Sequence, residues 1–233
     1  MEKLIKDIKK RSPEYGAIPF WSWNDKLEEN ELRSQIRTMK ELGMGGFFMH
    51  ARGGLETEYL SDDWFNCINV CIDEAKKLGM EAWSYDENGW PSGFVGGKLL
   101  ENEEFRARFL EYSAGEYDPA AFAVFVRQGN GFARVESVRP GVSEYHNVYL
   151  RVSPANTDIL NPAVTDAFIA ETHEKYYERF RGSFGKELAG FFTDEPQYYR
   201  WATPYTPVAE REFAARGEDI RDGLIWLFEK GEG

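Results

Sequence analysis

Apolar and polar residues follow two different periods along the first hundred residues of the chain. Short, continuous apolar runs of the kind that form buried strands occur at residues 17–23, 45–49 and 81–85. Between these runs the apolar residues recur every three or four positions, which predicts helices over about residues 29–42 and 61–78. A strand–helix–strand–helix–strand order with continuous apolar strands is typical of a parallel sheet covered by helices.

The connections differ in length at the two ends of the predicted strands. The helix-to-strand connections are short Leu-Gly-Met segments, at Leu42–Met44 and Leu78–Met80, whereas each strand leads into a longer polar and aromatic loop. This asymmetry is typical of a (β/α) barrel, in which the loops after the strands carry the chemistry. A doubly wound sheet is the alternative, but the sequence lacks the glycine-rich phosphate loop of that fold.

The pattern changes after the third strand. A helix is predicted over about residues 101–112, and alternating runs with turn residues then predict a small antiparallel β insertion. Helical spacing returns at about residues 162–184. The run LAGFFT predicts a fourth strand at residues 188–193, and a last helical stretch covers about residues 208–228.

The chain length determines how much of a barrel we expect. A complete barrel takes roughly 250 residues. Only residues 197–233 follow the fourth strand, too few for four further strand–helix units of roughly 25 to 30 residues each. We therefore expect an α/β chain that forms a partial TIM-type (β/α) barrel of about four βα units. Its barrel segments are predicted at residues 1–114 and 157–233, around an antiparallel insertion at residues 115–156.

Composition and charge exclude several classes of function. The net charge is −12, with 40 acidic and 28 basic residues, so no basic excess is present to neutralise nucleic-acid phosphates. No apolar run approaches the 18 residues of a membrane span. Residues 1–15 lack the apolar stretch of a secretory signal, so we expect a cytoplasmic protein. Cys67 and Cys71 lie four apart in a helical pattern and are interpreted as buried thiols rather than a metal or redox pair.

Polar and aromatic residues cluster where the predicted strands end, which is where barrel enzymes place their active sites. Carboxylates, amides and arginine bind sugar hydroxyl groups, and aromatic rings pack against the C–H faces of sugars. We therefore expect a carbohydrate ligand. The candidate substrate-binding residues are Trp21, Trp23, Asn24, His50, Arg52, Asp86, Glu87, Asn88, Trp90 and Tyr198.

The Asp194-Glu195-Pro196 segment after the fourth strand is the sharpest catalytic candidate. Neighbouring strands lie about 4.8 Å apart, so a carboxyl group there comes close to Asp86 or Glu87. Like charges in one site favour protonation of one carboxyl group, as a general acid requires. Glu195 is the predicted acid. Asp194 is the alternative inward-facing residue, because strand alternation is ambiguous at the rim.

Four segments together resemble a known family: PFWSWND, GMGGFFMHARGGLETEYLSDDWF, AWSYDENGWPSGFVGGK and GFFTDEPQYY. They are similar to the α-L-rhamnosidases of glycoside hydrolase family 106 and their relatives, over about residues 15–110 and 157–230. The resemblance implies a (β/α)₈ barrel with added β-domains, and inverting hydrolysis by two carboxylates, often with a Ca²⁺ ion near the sugar. By this resemblance Glu195 matches an acid at the end of the fourth strand, and the second carboxylate is expected in the later half of the barrel.

Two classes of function follow from these observations. The first is a truncated or split glycoside hydrolase acting on α-L-rhamnosides or related sugars, in which Asp86 or Glu87 would have to replace the missing base. The second is a non-catalytic carbohydrate-binding protein or an inactive half barrel. A half barrel also leaves two open strand edges, which favours a homodimer.

Overall fold

The structure is a computed structural model that describes residues 1–9, 15–197 and 202–230. The strands of the described residues are, in chain order, β1 (Phe20–Trp23), β2 (Gly46–Ala51), β3 (Glu81–Asn88), β4 (Arg106–Gly115), β5 (Ala123–Gln128), β6 (Gly131–Arg134), β7 (Tyr145–Thr157), β8 (Leu188–Phe192) and β9 (Thr203–Tyr205). The α-helices are α1 (Glu2–Lys9), α2 (Glu29–Glu41), α3 (Asp62–Leu78), α4 (Pro162–Glu171), α5 (His173–Phe180) and α6 (Pro207–Ala215).

The chain divides into two compact units, each made of two segments. The first unit comprises Met1–Lys98 and Asp166–Pro196, and the second comprises Leu99–Thr165 and Gln197–Gly233. Among the helices described, none is long and apolar enough to cross a lipid bilayer.

The first unit contains a four-stranded parallel sheet in the order β1-β2-β3-β8. The predicted parallel sheet and its alternation with helices are therefore confirmed. In the described residues β1 and β8 have one paired neighbour each, so the sheet is open at both edges. The closed or partial barrel itself stays a prediction.

One face of this sheet is buried beneath helices. Trp21, Trp23 and Phe47 point to this face and share a hydrophobic core with Ile36 of α2 and Ile68 of α3. Strand side chains alternate between faces, so this packing assigns every second residue of the strands to the core. The burial of such large rings removes apolar surface from water, which stabilises the unit.

The predicted limits of α3 are reproduced, and local hydrogen bonds explain them. The Ser61 hydroxyl accepts a hydrogen bond from the Trp64 amide at 3.2 Å, which satisfies one unpaired amide of the first turn. Gly79 ends the helix with a φ of +60°, a conformation that favours glycine. Cys67 and Cys71 are buried and not disulfide-bonded, and burial raises the pKa of the Cys67 thiol to about 11.

The second unit contains a five-stranded antiparallel sheet in the order β6-β5-β7-β4-β9. The helix predicted over residues 101–112 is wrong. Two short 3₁₀ turns are followed there by β4, which pairs with β7 along its length and with β9 near Leu110. Pairing on both sides supplies backbone hydrogen bonds that outweigh the helical propensity of this segment.

The last predicted helix is divided in two. Helix α6 ends at Ala215, before Gly217 with a φ of +80°, and a 3₁₀ segment follows at Ile220–Leu227. Leu224 and Ile225 of that segment are buried in the core of the antiparallel sheet. The sheet of the second unit therefore draws on residues before and after the predicted insertion.

We expect Gly46→Ala to destabilise the first unit. A Cβ atom at Gly46 would lie 2.4 Å from the backbone oxygen of Glu81 on the neighbouring strand. Forcing the strands apart should lower the free energy of unfolding by about 1–3 kcal/mol in urea titrations. Gly53→Ala is the matched control, because nothing lies within 4 Å of its added methyl group. Equal stability of the two variants would contradict the close approach of β2 and β3.

Candidate functional site

The carboxyl ends of β2, β3 and β8 bring His50, Tyr85 and Asp194 together on the sheet face opposite the helices, which we call the open face. His50 stacks on Tyr85 with ring centroids 3.6 Å apart and an interplanar angle of 15°. Tyr85 pairs in register with Phe192, so Asp194, two residues later, extends from the same side of the sheet. The Tyr85 hydroxyl lies 3.5 Å from Asp194 Oδ2 and donates a hydrogen bond to the Gly89 carbonyl oxygen at 2.7 Å.

This open face is lined by aromatic rings below the polar side chains. Phe20 lies 5.3 Å from Phe48 and 4.8 Å from Phe192, measured between ring centroids, and its edge contacts the His50 ring. Phe20 is half exposed, and Phe48 and Phe192 are partly buried. The face therefore combines an accessible apolar surface with a few polar groups, as small-molecule sites do.

His50 has no accessible surface, and neither of its ring nitrogens has a hydrogen-bond partner among the described residues. Burial and, to a smaller extent, the positive charge of Arg52 lower the pKa of His50 to about 4, while the Ala51 backbone and Asp194 oppose the shift. The ring is therefore neutral near pH 7. An unsatisfied buried polar group costs free energy, so the buried His50 ring lowers the stability of the first unit.

Asp194 and Glu195 have different environments. The Asp194 side chain is partly buried beside Tyr85, whereas Glu195 is exposed at the rim. Glu195 also has a φ of +43°, in the left-handed region that is unfavourable for residues other than glycine. Such backbone strain concentrates at functional sites. The alternation that was ambiguous in the sequence thus places Asp194 on the open face and Glu195 at its edge.

Glu87 has a different environment from the one expected of a sugar ligand. Its carboxylate is fully buried and accepts hydrogen bonds from five backbone amides, those of Asn88, Gly93, Phe94, Val95 and Gly96. Burial raises the pKa of Glu87, and the amide donors oppose that shift. Its oxygens are therefore engaged in organising the loop after β3 rather than available to a substrate.

Asp86 is also fully buried and internally bonded. Its Oδ1 accepts a hydrogen bond from the Ser92 hydroxyl at 2.7 Å, and its Oδ2 accepts one from the Thr193 hydroxyl. His173 Nε2 lies 3.5 Å from Asp86 Oδ2. Sequence reasoning did not single out Ser92, Thr193 or His173, because their role depends on contacts between segments that are distant in sequence.

The remaining predicted substrate-binding residues lie in several places. Trp21 and Trp23 are 8% and 2% exposed in the helix-covered core, so their rings are not presented to a sugar. Asn24 is exposed in the loop after β1, whereas Asn88 at the end of β3 and Trp90 in the following loop are partly buried. Tyr198 lies outside the described residues. Arg52 is partly buried, and its charge also acts on Tyr85.

No metal site is visible in the described parts of the chain. No group of three or more His, Cys, Asp or Glu side chains there is arranged to hold an ion. The two carboxylates of β3 are occupied by hydroxyl and amide donors. These residues therefore do not fit the Ca²⁺ site that the family resemblance implies.

We expect His50→Phe to remove a pH dependence of stability. The unfolded chain protonates histidine near pH 6.5, but native His50 resists protonation down to about pH 4. The free energy of unfolding should therefore fall as the pH decreases through this window, by up to about 3 kcal/mol. Phenylalanine keeps a ring against Tyr85 without the unsatisfied nitrogens. The free energy of unfolding, measured in urea titrations, should change less with pH in the variant than in the wild type. An equal pH dependence in both proteins would contradict the low pKa of His50.

We expect Glu87→Gln to destabilise the loop after β3. A glutamine places an amide donor among backbone amides that need an acceptor, which should lower the free energy of unfolding by about 1–3 kcal/mol. Glu101→Gln is the control, because Glu101 is exposed to solvent. Similar chemical-denaturation curves for both variants would show that the hydrogen bonds from these backbone amides to Glu87 contribute little to stability.

Comparison with known proteins adds a distant likeness. No protein-family model matches the chain, and no curated protein matches it. Among solved structures it is similar to a rhamnosidase from Novosphingobium sp. PP1Y, with 21% sequence identity and a TM-score of 0.40. The match covers 53% of this chain and 12% of that chain, so this protein spans only a small part of that structure.

Proposed function

We propose that the open sheet face of the first unit binds a sugar and forms part of a glycoside hydrolase site. The observation that carries the proposal is the half-exposed Phe20 ring on the open face, which contacts the His50 ring that stacks on Tyr85 beside Asp194. Sugar hydroxyl groups donate and accept hydrogen bonds, so the partly buried Asp194 side chain suits them. The sequence resemblance favours α-L-rhamnosides or related sugars as substrates.

The aromatic layer supports the same class of ligand. A sugar ring has apolar C–H faces and a polar rim, and the Phe20 ring is exposed beside the polar groups. Arg52 and Asp194 lie close enough to the buried His50 ring to act on its charge, and they supply a donor and an acceptor there. In this proposal a sugar packs on Phe20 while its hydroxyl groups bind Asp194 and Arg52.

Glu195 is the proposed general acid. Its exposed carboxyl group at the rim of β8 would protonate the oxygen of the departing group. The partly buried carboxylate of Asp194 would bind a sugar hydroxyl or stabilise positive charge that develops on the ring. Inverting hydrolysis needs a second carboxylate about 6.5–9.5 Å from the acid. Asp86 and Glu87 do not suit this role, because both are fully buried and internally bonded.

We propose that the parallel sheet corresponds to the first four strands of a (β/α)₈ barrel and that β5, β6 and β7 of the antiparallel sheet belong to an insertion. In the described residues β1 and β8 are open edges. Strands from a second copy of the chain, or from another polypeptide segment, would pair there and supply the base. Sedimentation of the purified chain as a dimer would support the first source.

A non-catalytic sugar-binding protein is the second candidate. The saturation of Asp86 and Glu87 by protein donors favours it, because the open face then has no evident base. This candidate needs only Arg52, Asp194 and the aromatic layer. Binding without hydrolysis would distinguish it from the enzyme.

We expect Glu195→Gln to abolish most turnover of aryl α-L-rhamnosides while sugar binding persists. Removal of a general acid should lower kcat by roughly 10²–10⁴-fold. The assay should compare aryl glycosides of several sugars, with and without Ca²⁺, and measure binding by calorimetry. Glu174→Gln is the matched control, because Glu174 is an exposed carboxylate on α5 of the same unit.

Three outcomes separate the candidates. Turnover in the wild type and in Glu174→Gln, but not in Glu195→Gln, supports the enzyme. Sugar binding without turnover in any variant supports the binding protein. A folded wild type that neither binds nor hydrolyses any of the sugars contradicts both.

A further inference from the structure

We propose that Asp86 and Ser92 are positioning residues that hold the backbone of Asp194, and therefore the two carboxylates at the end of β8. The inference rests on the proposed function only in what these carboxylates do, because the positioning itself follows from the contacts. Asp86 thus has a role different from the substrate-binding role expected from the sequence. Ser92 acts through Asp194 without itself binding a substrate.

Ser92 binds both backbone groups of Asp194. The Ser92 amide donates to the Asp194 carbonyl oxygen at 2.9 Å, and the Asp194 amide donates to the Ser92 hydroxyl oxygen at 2.9 Å. Ser92 is 2% exposed, so water does not compete readily for these bonds. Two bonds to one residue fix both the position and the rotation of its peptide groups, which is how the loop after β3 is joined to the end of β8.

Asp86 sets the direction of the Ser92 hydroxyl. A serine hydroxyl rotates freely and has one proton to donate and lone pairs to accept with. The Ser92 proton goes to Asp86 Oδ1 at 2.7 Å, which leaves the lone pairs of the oxygen for the Asp194 amide. Without that acceptor the hydroxyl proton is free to point toward Asp194.

The same carboxylate also contacts the residue before Asp194. The Thr193 hydroxyl donates to Asp86 Oδ2. Asp86 therefore holds the end of β8 through two successive residues, one by way of Ser92 and one directly. His173 Nε2 lies near the same Oδ2, and His173 Nδ1 lies 3.0 Å from the Thr172 hydroxyl oxygen, so the buried carboxylate is surrounded by polar groups.

The restraint on the Asp194 backbone also affects the conformation of Glu195, the next residue. Glu195 follows the pinned residue and has a φ of +43°, which an unrestrained chain disfavours at a residue other than glycine. The restraint on Asp194 limits how the chain can relax before Glu195. In the proposed enzyme this restraint would therefore preserve the orientation of the Glu195 carboxyl group and the position of the Asp194 carboxylate.

The positioning is separable from the general stability of the loop. The Glu87 carboxylate holds the backbone amides of residues 93–96 independently of the Ser92 hydroxyl. Ser92→Ala removes only one hydroxyl group and leaves the hydrogen bonds of Glu87 to these amides intact. Ser84→Ala is the matched control, because Ser84 is similarly buried and lies on the same strand as Asp86, while its hydroxyl lies beside Tyr176 rather than Asp194.

The test combines amide exchange with kinetics on the full chain. Hydrogen exchange at the Asp194 amide, followed by NMR, should be protected in the wild type and in Ser84→Ala. In Ser92→Ala it should accelerate by about tenfold, as expected for one lost hydrogen bond. Asp86→Asn retains an oxygen acceptor and should give an intermediate acceleration, and this second variant serves if Ser92→Ala does not fold.

Turnover gives the readout that a purely structural role would not change. In Ser92→Ala we expect kcat for an aryl α-L-rhamnoside to fall by roughly 10- to 100-fold, with KM changed by less than about threefold, because misplacement affects the transition state most. Unchanged Asp194 exchange in both Ser92→Ala and Asp86→Asn would overturn the proposal. So would unchanged kcat in variants with faster exchange.

Failure of the proposed function gives a different result. A wild type without turnover or sugar binding refutes the glycoside site. The exchange rates of Ser92→Ala and Asp86→Asn still decide whether these residues hold Asp194.

Discussion

The alternation of side chains across the four parallel strands is the constraint on which the candidate site depends. The helices cover one face, and that face takes Trp21, Trp23 and Phe47. Each strand must then present its intervening residues on the opposite face. His50, Tyr85 and Asp194 come together there because β2, β3 and β8 are neighbouring parallel strands. The location of the site is thus a consequence of how the core is packed.

The two neighbouring carboxylates of β3 have a supporting function rather than a chemical one. Glu87 gathers the backbone amides of the following loop, and Asp86 orients Ser92 and binds Thr193. A buried carboxylate is stable only when its oxygens receive hydrogen bonds. These acidic groups therefore make the loop and the end of β8 rigid, and they leave Asp194 and Glu195 as the carboxylates available on or beside the open face.

The sequence by itself determined the repeating part of the fold. Continuous apolar runs and helical spacing are local signals, so the parallel strands, α2 and α3 could be predicted within a few residues. It also indicated His50 and Asp194, because residues that follow strands in this topology share one edge of the sheet. The prediction was wrong for β4, since a strand whose partners are β7 and β9 depends on residues about 30 or more positions away in the chain.

Only the tertiary structure decided which of the polar and aromatic candidates lie on the open face of the sheet. Trp21 and Trp23 were predicted to bind a sugar through their rings, but the alternation of strand side chains places both in the core. Asp86 and Glu87 looked like substrate ligands, but the loop that follows them folds back and saturates their oxygens. Residue type shows what a side chain is able to bind. Whether its hydrogen-bonding capacity is already used by the protein depends on contacts between distant segments, which no local pattern records.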